Sequence, residues 1–127
     1  MSGPYRYKME TINLADKFSL IADYWNPRII GDLNDCHVKA VKLTGEFIWH
    51  HHDNEDELFL VVKGTLRMKF RDREVVVREG EFVIVPRGVE HCPVADEEVH
   101  IVLIEPKSTL NTGNITNERT VAQLEHI

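Results

Sequence analysis

Residues 45–64 read GEFIWHHHDNEDELFLVVKG, and residues 80–91 read GEFVIVPRGVEH. Both segments contain short apolar runs of β type that are bounded by glycine, proline and acidic turn residues. Both also contain side chains that bind metals in proteins. Together they hold four such candidate ligands: His50, His52, Glu57 and His91.

The spacing of the histidines predicts which of them share a face. Alternate side chains of a strand point the same way, so His50 and His52 are expected on one face with Ile48. His51 is expected on the other face, together with Phe47 and Trp49. The polar residues 53–56 predict a turn, and Glu57 opens the next strand. A hairpin would therefore bring the Glu57 carboxylate back beside His52, while His91 must come from elsewhere in the fold.

The donor set predicts one divalent transition metal. Three imidazoles and one carboxylate suit Fe, Mn, Ni, Cu or Zn, and the choice among these metals stays open. His51 is interpreted as an exposed strand residue. Glu55 and Asp56 are interpreted as solvated turn carboxylates, although either would replace Glu57 if the register slipped.

The spacing also resembles a known family. The pattern Gly45-x4-His50-x-His52-x4-Glu57-x6-Gly64 resembles the first cupin motif, and Gly80-x5-Pro86-x-Gly88-x2-His91 resembles the second. Two details depart from the family: the gap from Gly45 to His50 is one residue short, and Ala95 stands where asparagine is common. Neither removes a candidate ligand. The flanking segments are similar to a group of small single-domain cupins of the conserved barrel type.

The resemblance implies an all-β fold, an antiparallel double-sheet jelly-roll barrel. We expect a single domain over residues 1–127, with a barrel core at about 36–106, an N-terminal helix and strand arm at 1–35, and a C-terminal tail at 107–127. The expected elements are a short helix capped by Asn13 and ending near Ile21, an edge strand at Arg28–Gly31, a turn at Gly31–Asp35, and strands at Cys36–Leu43, Glu46–His52, Leu58–Val62, Thr65–Arg71, Glu74–Arg78, Phe82–Val85 and Val99–Glu105.

Composition limits the function classes. The chain has 127 residues and a net charge of −6, and without a basic patch it is not expected to bind nucleic acid. Its apolar runs are too short to span a bilayer, and its first ten residues contain no apolar signal region, so we expect a cytoplasmic protein. Cys36 and Cys92 fit no disulfide framework and are interpreted as buried thiols.

Alternation along the strands also predicts the interior of the barrel. If Glu57 faces the metal, Phe59 and Val61 line an apolar cavity that suits a small-molecule ligand, and the next strand is expected to add Leu66, Met68 and Phe70. Each face of the strand at Cys36–Leu43 carries a lysine, Lys39 or Lys42. One of them would point inward and suit an anionic group, but a lysine at the barrel rim is the favoured interpretation.

His100 is interpreted as an ordinary strand histidine and not as a base beside the metal.

These features predict a metal-binding small-molecule enzyme, with dioxygenase-like oxidation at a 3-His-1-Glu centre as the leading hypothesis. The alternatives are a metal-dependent isomerase or lyase acting on sugar-phosphate-like substrates, and a non-catalytic ligand-binding or sensor module. A homodimer is expected, with Tyr5–Thr11 and Arg28–Ile30 as candidate edges that pair across a two-fold axis.

Overall fold

The structure is a computed structural model that describes residues 9–127. These residues form one short helix and seven strands: α1 (Leu14–Ser19), β1 (Arg28–Leu33), β2 (Cys36–Glu46), β3 (Glu57–Lys63), β4 (Leu66–Phe70), β5 (Glu74–Val77), β6 (Phe82–Val85) and β7 (His91–Pro106). The helix begins as predicted, because the Asn13 side chain accepts a hydrogen bond from the backbone N–H of Asp16 at 2.9 Å.

The strands pair antiparallel in two layers that share β7. One layer has the strand order β1-β2-β7-β3-β6; in the other, β4 pairs with β5 on one side and with the first residues of β7 on the other. Between the layers lies an apolar core of Val41, Leu43, Phe59, Val61, Leu66, Met68, Val77, Val85, Ala95, Val99, Ile101 and Leu103. The predicted all-β jelly-roll barrel is therefore confirmed.

Three predicted boundaries are wrong. The last strand, expected at Val99–Glu105, begins at His91, because its first residues pair with β4. The turn predicted at Gly31–Asp35 shrinks to Asn34 and Asp35, since β1 continues to Leu33 and pairs with Cys36 there. The helix ends at Ser19, two residues before Ile21.

The predicted strand at Glu46–His52 is also wrong. β2 runs without interruption from Cys36 to Glu46, across a register shift between Leu43 and Gly45. Residues 47–56 leave the sheet, and within them only His50 forms a bridge, to His91. This irregular segment carries two of the candidate ligands, so its path positions the site.

The C-terminal residues 107–127 form turns that pack against the barrel. Ile29 donates its N–H to the carbonyl of Glu125 at 2.8 Å, and Ile127 donates to the carbonyl of Ile29 at 3.1 Å. The end of the chain thus pairs with β1. Within residues 9–127, no helix is long and apolar enough to cross a membrane.

Candidate metal centre

His50 and His52 point into the barrel although their segment is not a strand. Both imidazoles are buried, while His51 is partly exposed and its Nε2 lies 2.9 Å from Asp53. The bridge to His91 fixes this arrangement: His50 donates to the His91 carbonyl at 3.1 Å, and His91 donates back at 2.9 Å. Reciprocal backbone bonds of this kind hold the imidazoles of His50 and His91 side by side, with ring centroids 4.4 Å apart.

Phe47 does not follow the predicted alternation. It was expected on the face of His51, but it is buried, lines the cavity described below and lies edge-on to the His50 ring. The two-residue period fails here because residues 47–49 lie outside the sheet and lack the regular pleat that enforces it.

Glu57 and His91 are each the first residue of a strand, and both lie beside His50 and His52. Glu57 is the first residue of β3, opposite Val85 of β6, and His91 is the first residue of β7. Both are buried. Each of the four residues offers one ligand atom, and these atoms all lie within 4.8 Å of one another. The structure thus brings together all four residues singled out in the sequence.

Backbone carbonyls orient two of the imidazoles. His50 Nδ1 lies 2.9 Å from the Ile48 carbonyl oxygen, and His91 Nδ1 lies 2.9 Å from the Val89 carbonyl oxygen. Because a carbonyl only accepts, Nδ1 carries the proton in both rings and Nε2 presents a lone pair. This is the arrangement in which histidines that bind metals are usually held.

The centre contains buried polar atoms that lack partners. Glu57 Oε1 lies 2.9 Å from His52 Nε2 and 3.2 Å from His91 Nε2. These contacts are short but poorly aligned, so within residues 9–127 all three atoms are without a hydrogen bond. Unpaired buried polar atoms are costly, and a shared cation would satisfy all three at once. The residues therefore fit a bound metal ion.

The electrostatics keep the donors ready for a metal at neutral pH. Burial, reinforced by the neighbouring His91, lowers the pKa of His50 to about 4, so that its ring is neutral at pH 7. Burial alone would raise the pKa of Glu57, but its contacts with His52 and His91 outweigh burial and lower the pKa. A neutral imidazole and an ionised carboxylate are the forms that bind metals.

A narrow cavity of about 40 Å³ lies beside the centre, with room for about three water molecules. His50 and Glu57 contribute to its wall. The rest of the lining is mostly apolar: Trp25, Pro27, Val41, Leu43, Phe47, Phe59, Pro93, Ile101 and Leu103, with Lys39, Glu105 and Asn111 as the remaining polar residues.

Some predicted cavity residues lie elsewhere. Phe59 lines the cavity, but Val61, Leu66 and Met68 pack in the core between the layers, and Phe70 is only partly buried. These side chains have the predicted inward direction. They lie too far along their strands to reach the cavity wall.

Lys39 corrects the interpretation of the two strand lysines. The favoured expectation placed a lysine at the barrel rim, but Lys39 is 2% exposed and lines the cavity. Its Nζ lies 3.7 Å from Glu105 Oε1. Lys42, on the opposite face of β2, is partly exposed.

The other polar residues considered in the sequence lie outside the site. His100 stacks on Phe18 and bonds to Glu98, as an ordinary strand histidine would. Asp56 accepts from Arg87 and Glu55 accepts from Ser108. Both cysteines are free thiols; Cys92 is buried and Cys36 half-buried. Burial raises the pKa of Cys92, which disfavours the reactive thiolate.

Glu105 is the main residue that the sequence reasoning missed. It is buried beside Glu57, because Leu58 of β3 pairs with Ile104 of β7 and the next residues are neighbours on the inner face. A signal was present: Val99, Ile101, Leu103 and Glu105 alternate on one face of the predicted strand Val99–Glu105, and the first three of them are apolar. A charged residue that continues an inward apolar row is a candidate for the interior.

The chain is similar to known proteins over most of the barrel. The family model for the cupin domain matches residues 39–105, just over half of the chain. A cupin-2 domain protein from Shewanella frigidimarina is 49% identical, with a TM-score of 0.75, over 76% of this chain and 94% of that one. Protein NMB1881 from Neisseria meningitidis is 36% identical, with a TM-score of 0.71, over 77% of this chain and all of that one.

A curated relative extends the likeness without adding an activity. The uncharacterised protein YdbB from Bacillus subtilis is 40% identical over 63 residues, which are 49% of this chain and 56% of YdbB. The match therefore spans little more than half of that relative's length.

Proposed function

This chain belongs to the cupin family, and from that premise we propose that it is a metal-dependent enzyme acting on a small molecule. His50, His52, Glu57 and His91 are proposed to hold one divalent transition metal, with Fe, Mn, Ni, Cu and Zn as candidates. The observation that carries the proposal is the group of four buried ligand atoms, three of them unpaired, beside a narrow cavity.

A metal bound there would supply Lewis acidity and, if it is iron, the capacity to react with O₂. The protein supplies the rest. The carbonyls of Ile48 and Val89 hold two imidazoles in one tautomer and orientation. Phe59, Val41 and Leu103 keep the cavity apolar, so a bound substrate would be held away from bulk water. Electrostatic interactions are stronger in such a water-excluded site than in bulk water.

Among possible reactions, we rank oxidation of a small carbonyl, enol, phenolic or hydroxy-acid compound first. The cavity offers few polar partners, so a bare sugar would leave many hydroxyl groups unpaired, at a cost for each. The test is oxygen consumption by the Fe(II)-loaded protein across diketones, catechols and hydroxy acids. Uptake with at least one compound is expected. Turnover of a hexose phosphate, with no oxygen uptake on any panel member, would overturn the ranking.

A metal-dependent isomerase or lyase is the second candidate. Lys39 in the cavity wall supports it, because an anionic substrate of the sugar-phosphate type would need a buried cation. The same panel distinguishes the two, since an isomerase consumes no oxygen. Binding without turnover of any compound would instead identify a ligand-binding module.

We also propose that two copies of the chain form a homodimer through the outer face of the larger layer. The edge of β1 at Ile29 is taken by the C-terminal residues, and Tyr5–Lys8 lie outside the described residues. The outer face offers a different surface. Strand register aligns two apolar rows on it, which we call the outer apolar face: Val38, Ile104, Leu58 and Ile84, then Ala40, Val102, Leu60 and Phe82.

Helix α1 covers only one end of this face. Phe18 packs against Ala40 and Val102, whereas at the other end Phe82 is 59% and Ile84 52% exposed. Exposed apolar patches of this kind mark interaction sites in soluble proteins.

The proposed compartment is the cytoplasm, which the two free thiols support.

A further inference from the structure

Lys39 and Glu105 form a buried pair of ionisable side chains that are not among the four candidate metal ligands, and burial together with the neighbouring Glu57 raises the pKa of Glu105. Both side chains are 3% exposed, and both line the cavity. They lie on adjacent strands: Lys39 pairs with Leu103, two residues before Glu105 on the same face. Glu57 follows on the next strand, so one polar row crosses β2, β7 and β3 inside an otherwise apolar barrel.

The pair is incompletely satisfied. Lys39 Nζ and Glu105 Oε1 are 3.7 Å apart, longer than a hydrogen bond. Within residues 9–127, Glu105 Oε2 is buried without a partner, and the ion pair of the Lys39 ammonium is this 3.7 Å contact. An ammonium group has three donors to place, so both groups have unused bonding capacity at the cavity wall.

Stability does not explain such a pair. Removing two charges from water costs several kcal/mol per ion, and apolar replacements of similar volume are often as stable or more stable. A loose geometry recovers little of that cost. A ligand that bonds to both groups would recover more of it.

The local charge favours an anion at Lys39. Glu57 is the single charged side chain among the four candidate metal ligands, so a divalent metal there would leave excess positive charge at the centre. Glu105 can at most neutralise Lys39. A second cation, Arg119, lies over the rings of Phe47 and Trp25, which line the same cavity.

We infer that Lys39 and Glu105 form a subsite for a small 2-hydroxy carboxylate, whose carboxylate bonds to Lys39 and whose hydroxyl bonds to Glu105. The inference rests on the proposed function and narrows its substrate class. The narrow cavity of about 40 Å³ favours a ligand of a few carbon atoms over a bulkier one. A hydroxyl group can both donate and accept, so it suits Glu105 in either protonation state.

The test uses binding and not turnover. The protein is loaded with Zn, which is redox-inert, and titrated calorimetrically with L-lactate, lactamide and propionate. Lactamide removes the charge at nearly constant shape, and propionate removes the hydroxyl. Lactate is expected to bind about tenfold or more tightly than either, since one hydrogen bond to a charged group contributes about that much.

Two variants assign the effect to Lys39. Lys39→Met is expected to weaken lactate binding about tenfold and to abolish the preference over lactamide. Lys42→Met, on the opposite face of β2, is the matched control and should bind lactate like the wild type. Equal affinity of the wild type for lactate and lactamide would overturn the inference even if the Lys39 variant does not fold. A folded Lys39→Met variant that still prefers lactate over lactamide as strongly as the wild type would also overturn the inference.

The outcomes also separate this inference from the proposed oxidation. Selective lactate binding without oxygen uptake on the Fe(II) panel would retain the subsite and reject the oxidation. Oxygen uptake with neutral diketones, together with equal lactate and lactamide binding, would retain the oxidation and reject the subsite.

Discussion

His51 and His52 are chain neighbours whose environments differ sharply. His52 is buried, and its Nε2 faces Glu57 without a hydrogen bond. His51 is partly exposed and paired with Asp53, and its backbone N–H donates to the Asn114 side chain at 2.9 Å. The role proposed for each therefore depends on side-chain direction alone, which makes the two residues a matched pair for a test.

His52→Ala is expected to abolish most metal binding, because it deletes a proposed ligand. The loss in affinity should be at least about 100-fold, since even residues that only orient a ligand contribute 10–100-fold. Metal content of protein purified without chelators measures it. The variant should also lose the rise in melting temperature that added metal gives the wild type.

His51→Ala is the control and should retain nearly all bound metal. Loss of metal in the His51 variant, with retention in the His52 variant, would show that the proposed ligand assignment is wrong.

At the scale of elements, the C-terminal segment 107–127 holds the irregular segment of residues 47–56 in place. Asn114 donates its N–H to the His51 carbonyl at 3.0 Å and accepts from the His51 N–H. Arg119 donates to the Glu46 carbonyl at 3.0 Å. These bonds substitute for the strand partner that this segment lacks, so the C-terminal segment supports the metal site indirectly.

Gly113→Ala tests this support. Gly113 has a φ of 58°, and a Cβ there would collide with the His51 carbonyl oxygen. Gly80→Ala is the control, since Gly80 has a φ of 79° but open space around its Cβ position. Both variants incur the cost of a left-handed alanine, about 1–2 kcal/mol. Gly113→Ala should lose a further 1–3 kcal/mol or so from overpacking.

Urea unfolding of both metal-free variants measures the difference in their free energies of unfolding. Metal affinity should also fall in the Gly113 variant and stay unchanged in the Gly80 variant. Equal unfolding free energies would mean that the C-terminal segment yields without moving residues 50–52.

The whole molecule presents two apolar surfaces on β2, one on each side of the strand. The inner side packs in the barrel core, and the outer side packs against α1 and the C terminus. The outer apolar face extends past α1 to β6, where it ends in exposed Phe82 and Ile84. A second copy of the chain would cover these residues in the proposed dimer.

Light scattering at micromolar concentration is expected to give twice the chain mass of 14.7 kDa. Phe82→Lys should shift the protein toward the monomer, because it places a charge in the proposed apolar contact. Val76→Lys is the control: Val76 is exposed on β5, outside the outer apolar face. A wild-type monomer, or a Phe82 variant that stays dimeric, would contradict this interface.

Much of the fold and of the candidate site followed from local rules. The cap at Asn13, the strands β3 to β6 and the inward direction of Phe59, Val61 and Met68 depend on turn residues and on a two-residue period, which short segments carry by themselves. The four candidate ligands were found by their spacing, and the structure gathers them into one cluster. Their role as metal ligands stays a prediction.

Tertiary packing decided what the local rules left open. The period could not orient Lys39, because β2 is apolar on both faces: the core covers one, and α1 with the C terminus covers the other. Residues 46–52 read as a strand, yet residues 47–52 are held by a single bridge to His91 and by scattered backbone bonds to distant residues such as Pro93, Gly88 and Asn114, which no local pattern shows. Glu105 became part of the site only because the register of β7 places it beside Glu57. The sequence alone determined the barrel and its likeness to cupins, since alternation and turns are local; long-range packing determined which charges enter the cavity.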